Sequence, residues 1–145
     1  MMEPNSGKSR SETMPTDDKS RLQGRRLLVV DDVLLNQTLA QAYLEREGAM
    51  VDVAADGAVA VAMVEQAGPG AYAAVLMDIE MPEMDGIEAC RRIRALPGFS
   101  SLPVIGLTAH DEPAVIERMR EAGMDGHLSK PIAYVALIEM LVQET

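Results

Sequence analysis

The sequence predicts one α/β domain, a doubly wound five-stranded parallel sheet with helices over both faces. Three observations predict it. Five short strand-like stretches alternate with five stretches of helical spacing, and that order implies right-handed strand-helix-strand crossovers. The first and third runs, Leu27 to Val30 and Ala73 to Met77, are continuously apolar, as strands buried on both faces require. Both stop abruptly at acidic residues, at the sheet edge where open α/β proteins bind ligands.

Residues 1–24 are polar and lack periodicity, so they are expected to form a disordered N-terminal tail, with the domain occupying residues 25–145. The first strand, Leu27 to Val30, ends at Asp31 and Asp32. Leu35, Leu39, Ala42 and Tyr43 then fall at helical spacing, and Gly48 is placed to stop that helix. Ala49 to Ala54 makes the second strand. Asp56 offers an N-cap for a helix through Gln66 whose Val59, Ala62 and Met63 are expected to face inward. The third strand ends at Asp78 and is followed by a Pro-containing loop. Asp85 caps a helix with Ile87, Cys90 and Ile93 on its apolar side, where Cys90 reads as core. Pro103 to Leu107 is the fourth strand, ending at Thr108. Pro113 starts a helix that turns Ile116 and Met119 inward and stops at Gly123. His127 to Ser129 is a brief fifth strand before Lys130-Pro131 and a last helix from Ala133 to about Val142.

Composition narrows the function. At 145 residues and 48% hydrophobic content, the chain suffices for one full core and not for two domains of ordinary size. Net charge is −10, and because residues 1–25 carry five basic and four acidic side chains, the remainder holds −11. Such acidity argues against nucleic acid or an anionic membrane as direct partner, and it suits a site that collects a divalent cation. The single cysteine rules out an internal disulfide and makes a cytoplasmic location the expectation. No apolar run approaches the ~20 residues that span a bilayer.

The strand ends present Asp31, Asp32, Asp78, Thr108 and Lys130 on one edge. Crowded carboxylates repel unless protonated or neutralised by a cation. Mg²⁺ is the natural cation where a few carboxylates, waters and a phosphoryl oxygen complete an octahedron. Lys130 and Thr108 offer a charge and a hydroxyl to other phosphoryl oxygens, and the Asp78 carboxylate can act as the nucleophile.

At these residues the chain resembles the receiver domain of two-component response regulators, from Arg25 to about Val142. The resemblance rests on four motifs in order: Val29-Val30-Asp31-Asp32, Met77 through Gly86, Leu107-Thr108-Ala109, and Leu128-Ser129-Lys130-Pro131. It implies a flavodoxin-like receiver fold with strand order 2-1-3-4-5 and a cis Lys130-Pro131 bond. It also implies that Asp78 is the phosphoacceptor, that Asp31 and Asp32 are the acidic pair, that Thr108 is the switch hydroxyl, and that Lys130 contacts the phosphoryl group. The metal ligands so implied are Asp31, Asp32, Asp78 and the main-chain carbonyl of Glu80. The partner implied is a sensor histidine kinase or a histidine phosphotransfer protein, and catalysis is limited to the domain's own phosphorylation and slow dephosphorylation. Val33-Leu34-Leu35-Asn36-Gln37 and Gly123 through Ile132 resemble receivers attached to hybrid histidine kinases. After the last helix only Gln143, Glu144 and Thr145 remain, so no output domain is expected.

Similar receivers place Phe or Tyr three residues before the lysine, as a ring that turns inward when the threonine moves. Here His127 holds that place, either as a filler of the same slot or as a group that makes the switch sensitive to pH. His110 is expected near the site mouth. Two alternatives stand beside the phosphoacceptor: a receiver-like interaction module that works without phosphorylation, and a haloacid-dehalogenase-type phosphohydrolase. Degenerate receivers usually lose an acid, the acceptor or the lysine, all of which are present here. In the hydrolase the nucleophile ends the first strand, whereas Asp78 ends the third.

Overall fold

The computed structural model describes residues 20–145. The chain runs β1 (Arg26–Val30), α1 (Leu34–Arg46), β2 (Met50–Ala54), α2 (Gly57–Ala67), β3 (Ala74–Asp78), α3 (Gly86–Ala95), β4 (Val104–Thr108), α4 (Pro113–Glu121), β5 (Gly126–Ser129) and α5 (Tyr134–Glu144). All four strand pairings are parallel, in the order β2-β1-β3-β4-β5. This is the flavodoxin-like receiver order that the resemblance implies.

Strand alternation divides the core into two layers. Leu27, Val29, Leu76, Ile105 and Leu107 pack with Ala40 and Leu44 of α1 and with Leu137, Ile138 and Leu141 of α5. Leu28, Val30, Val75, Met77 and Val104 pack on the opposite face with Ala60, Val64, Ile87, Cys90, Ile93 and Met119, from α2, α3 and α4. Central β3 and β4 are buried at every position, which is why their sequences lack polar residues until the last one. Asp56 and Asp85 cap α2 and α3, their carboxylates accepting from the Val59 and Glu88 N–H groups, each at 2.8 Å. Gly48 and Gly123 follow α1 and α4 with φ of 93° and 100°, a left-handed stop that favours glycine. The Lys130-Pro131 bond is cis.

Three expectations need correction. The expected tail lies outside the described residues only over 1–19. Ser20 to Gly24 is an ordered turn in which Leu22 is fully buried and its N–H donates to the Glu47 carbonyl at 2.9 Å, so the ordered unit starts before Arg25. Arg21 pairs with Glu139 at 2.9 Å, and Arg25 Nε donates to Thr145 Oγ1 at 2.8 Å, tying this turn to the end of α5. The apolar residues that mark the period of α1 are not those it buries. Leu35, Leu39, Ala42 and Tyr43 are exposed, while Ala40 and Leu44 face the sheet. Likewise α2 buries Gly57, Ala60 and Val64, leaves Val59 and Ala62 exposed, and half-buries Met63. Close approach explains the choice in α2: a Cβ on Gly57 would lie 2.9 Å from the Met84 carbonyl and 3.2 Å from Ala89 Cβ, so that face admits small residues.

Candidate functional site

The parallel register delivers the site. β1 and β3 are adjacent and end together, so Asp31 and Asp32, just past the end of β1, come beside Asp78 at the end of β3. Asp31, Asp32 and Asp78 each offer a carboxylate oxygen, and these oxygens lie within 4.8 Å of one another. Asp31 and Asp78 are buried and Asp32 is exposed. The first turn of α1 holds Asp31: its Oδ1 accepts from the Val33 N–H at 2.8 Å and from Asn36 Nδ2 at 3.4 Å, while Gln37 Nε2 donates to its carbonyl at 2.7 Å. The roles of Asn36 and Gln37 as braces had no local signature beyond their place one turn after the acids.

Asp78 is 1% exposed, and its Oδ1 accepts from Lys130 Nζ at 2.9 Å and from the Glu80 N–H at 3.0 Å. Burial pushes its carboxyl above the ordinary carboxylate range, and the charge of Asp31 adds to the push, while Lys130 and the Glu80 N–H pull the other way. Lys130 is also held above the ordinary lysine value. Burial disfavours its charge, but Asp78, Asp31 and Glu80 outweigh that. The Asp78 shift is mainly a cost of burial, whereas the Lys130 shift reports the carboxylates gathered around one ammonium. An all-oxygen donor set of three mutually repelling carboxylates, two of them buried, fits a hard divalent cation of the Mg²⁺ kind.

On the other side, Thr108 is fully buried at the end of β4, and its hydroxyl oxygen accepts from the His110 N–H at 2.9 Å. Glu80 does not join the acidic cluster with its side chain. Its carboxylate accepts from the Thr108 hydroxyl at 2.6 Å and from the Ala109 N–H at 3.0 and 3.1 Å, and Oε1 lies 3.6 Å from Lys130 Nζ. No sequence signal announced this contact, because the partners are 28 and 29 residues away.

The structure does not bring His127 into this cluster. It is half-buried on β5, beside a cavity of about 230 Å³ lined also by Ile116, Met119, Arg120 and Met124. His110 points its exposed ring toward Glu112, with Nδ1 3.9 Å from Oε2. A second cavity, of about 220 Å³, adjoins the site between Asp31, Asn36, Leu39, Lys130, Pro131 and Tyr134. Tyr134, on its wall, stacks its ring on that of Tyr43 with centroids 4.1 Å apart. Among the described residues no helix is long and apolar enough to cross a membrane.

Known proteins resemble this chain in sequence and in fold. Residues 27–142 match the family described as response regulator receiver domain. A probable histidine kinase 2 of Oryza sativa is 37% identical over 139 residues, covering 87% of this chain and 13% of the relative. The signal transduction histidine-protein kinase BarA of Escherichia coli is 38% identical over 130 residues, covering 90% of this chain and 14% of the kinase. The chain thus spans about an eighth of the length of these relatives. Among solved structures, the receiver domain of the sensor histidine kinase PA1611 from Pseudomonas aeruginosa is 37% identical, with a TM-score of 0.75, covering 83% of this chain and 96% of that one. In that structure a magnesium ion is coordinated in the active-site cleft. The chemotaxis protein CheY4 of Vibrio cholerae, 26% identical, superposes with a TM-score of 0.77 over 83% of this chain and 98% of its own. The chain belongs to the response regulator receiver domain family, the phosphoacceptor signalling module of two-component systems.

Proposed function

We propose that Asp78 accepts a phosphoryl group from phosphohistidine on a sensor histidine kinase or a histidine phosphotransfer protein. The observation that carries this reading is the 2.9 Å contact of Lys130 Nζ with a buried Asp78 that shares its space with Asp31 and Asp32. A carboxylate oxygen of Asp78 attacks phosphorus, the P–N bond breaks, and its electron pair returns to the imidazole of the donor. Asp31, Asp32, Asp78 and the Glu80 carbonyl would hold Mg²⁺, which when bound would neutralise charge on the phosphoryl oxygens. Lys130 orients the acceptor beforehand and then contacts the transferred group, and Thr108 supplies a hydroxyl that follows it, with His127 as the ring that responds. Water later attacks phosphorus, breaks the P–O bond to Asp78 and restores the carboxylate. This self-directed chemistry is all the catalysis assigned to the domain.

Donor docking falls on the start of α1. Val33, Leu34, Leu35 and Leu39 form an exposed apolar stripe beside the acidic cluster, of the kind that receives another protein's helix. Such donors act in the cytoplasm, where we place the domain.

The test is phosphorylation by acetyl phosphate with Mg²⁺, read by intact mass. Asp78→Asn lacks the nucleophile and is expected to gain no phosphoryl group. Lys130→Ala keeps it and is expected to retain slow phosphorylation, with a weakened NMR response at Thr108 and His127. In a parallel NMR titration, Asp32 and Asp78 are expected to shift at millimolar Mg²⁺. Undiminished labelling of Asp78→Asn would end the assignment.

A further inference from the structure

Phosphoryl acceptance on Asp78 does not explain where the Glu80 side chain lies. Its main-chain N–H is fixed on Asp78 Oδ1 at 3.0 Å, yet its carboxylate is turned away from Asp31, Asp32 and Asp78. The carboxylate sits instead among three donors of different kinds: the Thr108 hydroxyl at 2.6 Å, the Ala109 N–H at 3.0 and 3.1 Å, and the Lys130 ammonium at 3.6 Å. Convergent donors of which one is charged are what an oxyanion needs, and the distance to Thr108 is that of a charge-assisted O–H···O⁻ bond. A phosphoryl group on Asp78 would present its oxygens to the same hydroxyl and the same ammonium.

The donors cannot serve both anions. Thr108 has one hydroxyl proton and Ala109 one N–H. Each proton given to Glu80 is withheld from the phosphoryl oxygens, and a carboxylate left in place would also repel them. The geometry points to Glu80 as a built-in competitor of the phosphoryl group, an internal anion that occupies its donors on Thr108, Ala109 and Lys130 until phosphorylation displaces it. Activation of this domain is then an exchange of anions. Before it, Glu80 holds Thr108 and Ala109 by their protons, and after it the side chain, already 32% exposed, is released to solvent. The inference deepens the phosphoacceptor reading and rests on it.

The probe is beryllofluoride, a phosphoryl mimic, at saturating Mg²⁺, with the wild type, Glu80→Gln and Glu80→Ala compared. Glu80→Ala removes the competitor and is expected to bind beryllofluoride roughly tenfold tighter, the worth of about one charge-assisted hydrogen bond. Glu80→Gln keeps an acceptor oxygen without the charge and is expected to fall between. NMR gives a readout that a merely structural role would not move. Without the probe, the Ala109 N–H resonance of Glu80→Ala is expected to differ from that of the wild type. With beryllofluoride bound, the two are expected to coincide, because the Glu80 carboxylate has left in the wild type. Equal or weaker affinity in both variants, or Ala109 resonances that still differ in the bound state, would overturn the inference. Failure of all three proteins to bind beryllofluoride would instead overturn the Asp78 site reading, and this inference with it.

Discussion

Gly86, the first residue of α3, is where the fold presses hardest on the acceptor strand. A Cβ built there lies 2.3 Å from the Asp78 carbonyl oxygen and 2.8 Å from Ile79 Cα, where ordinary contact begins at 3.4 Å. Both obstacles are backbone at the end of β3, so Gly86→Ala forces apart α3 and the strand that carries Asp78 by about 1 Å. Overpacking of this kind costs ~1–3 kcal/mol, and the better helix propensity of alanine returns at most ~1 kcal/mol. We expect a net loss of about 2 kcal/mol, or roughly 6–10 °C in Tm for a domain of this size. Gly106→Ala is the matched control. There a Cβ meets Met119 Cε at 2.2 Å and Met124 Sδ at 2.6 Å, the far ends of flexible side chains that can turn aside. Its expected loss is below about 1 kcal/mol, since glycine within a strand is itself unfavourable by ~0.5–1 kcal/mol. Differential scanning calorimetry checks the pair. Because Asp78 lies 2.9 Å from Lys130, a displacement of about 1 Å is also expected to slow phosphorylation by roughly 100-fold in Gly86→Ala alone. If Gly106→Ala loses as much stability as Gly86→Ala, the distinction between a backbone wall and a flexible neighbour fails.

Two further predictions test packing and charge. Leu35→Ser, at a position 64% exposed on α1, is expected to change stability by less than about 0.5 kcal/mol, whereas Leu44→Ala, fully buried on the same helix, costs ~2–5 kcal/mol in urea unfolding; equal losses would put the wrong face of α1 on the sheet. Tyr72 donates to Asp52 Oδ2 at 2.6 Å, and this bond, with Arg26 beside it, holds the Asp52 carboxyl below its ordinary range. A depressed carboxyl contributes stability above its unfolded value of ~3.9 and loses it as pH falls through the folded value. Tyr72→Phe is therefore expected to cost about 1 kcal/mol at neutral pH, discounted for exposure, with the gap to wild type closing in acid. Burial and Asp52 also push the Tyr72 hydroxyl up to about 12, so a contribution that only the wild type has is lost as pH rises from 10 to about 12, and the gap narrows there too. A gap independent of pH would refute the assignment.

The architecture was legible because parallel strands buried on both faces leave uninterrupted apolar runs, and because Asp31, Asp32, Asp78 and Thr108 each sit at or just beyond such a run, while Lys130 follows the shorter, half-buried β5. The phases of α1 and α2 were not. Periodicity weights bulky residues, and the eye takes Leu35, Leu39, Tyr43 and Val59 as the inward stripe. Tight packing reserves much of the inward face for Ala40, Gly57 and Ala60, whose smallness gives little hydropathy signal. The turn at Ser20 to Gly24 was hidden for a related reason, since a lone Leu22 carries no period. Glu80 shows the limit most clearly. Its position two residues after Asp78 says where its backbone goes, but the direction of its carboxylate is decided by Thr108 and Ala109 on another strand end.

The contacts of Arg21 with Glu139 and of Arg25 with Thr145 fasten the entrance of the domain to its exit. They lie where β1 begins, and the acidic cluster lies where β1 and β3 end. A longer polypeptide holding this domain would therefore suspend it from a single point, with the reactive pole farthest from the tether. Swinging about that point requires no change within the sheet. How often the acidic edge meets a donor in the same assembly then depends on the length and stiffness of the connecting segments, through the effective concentration they impose.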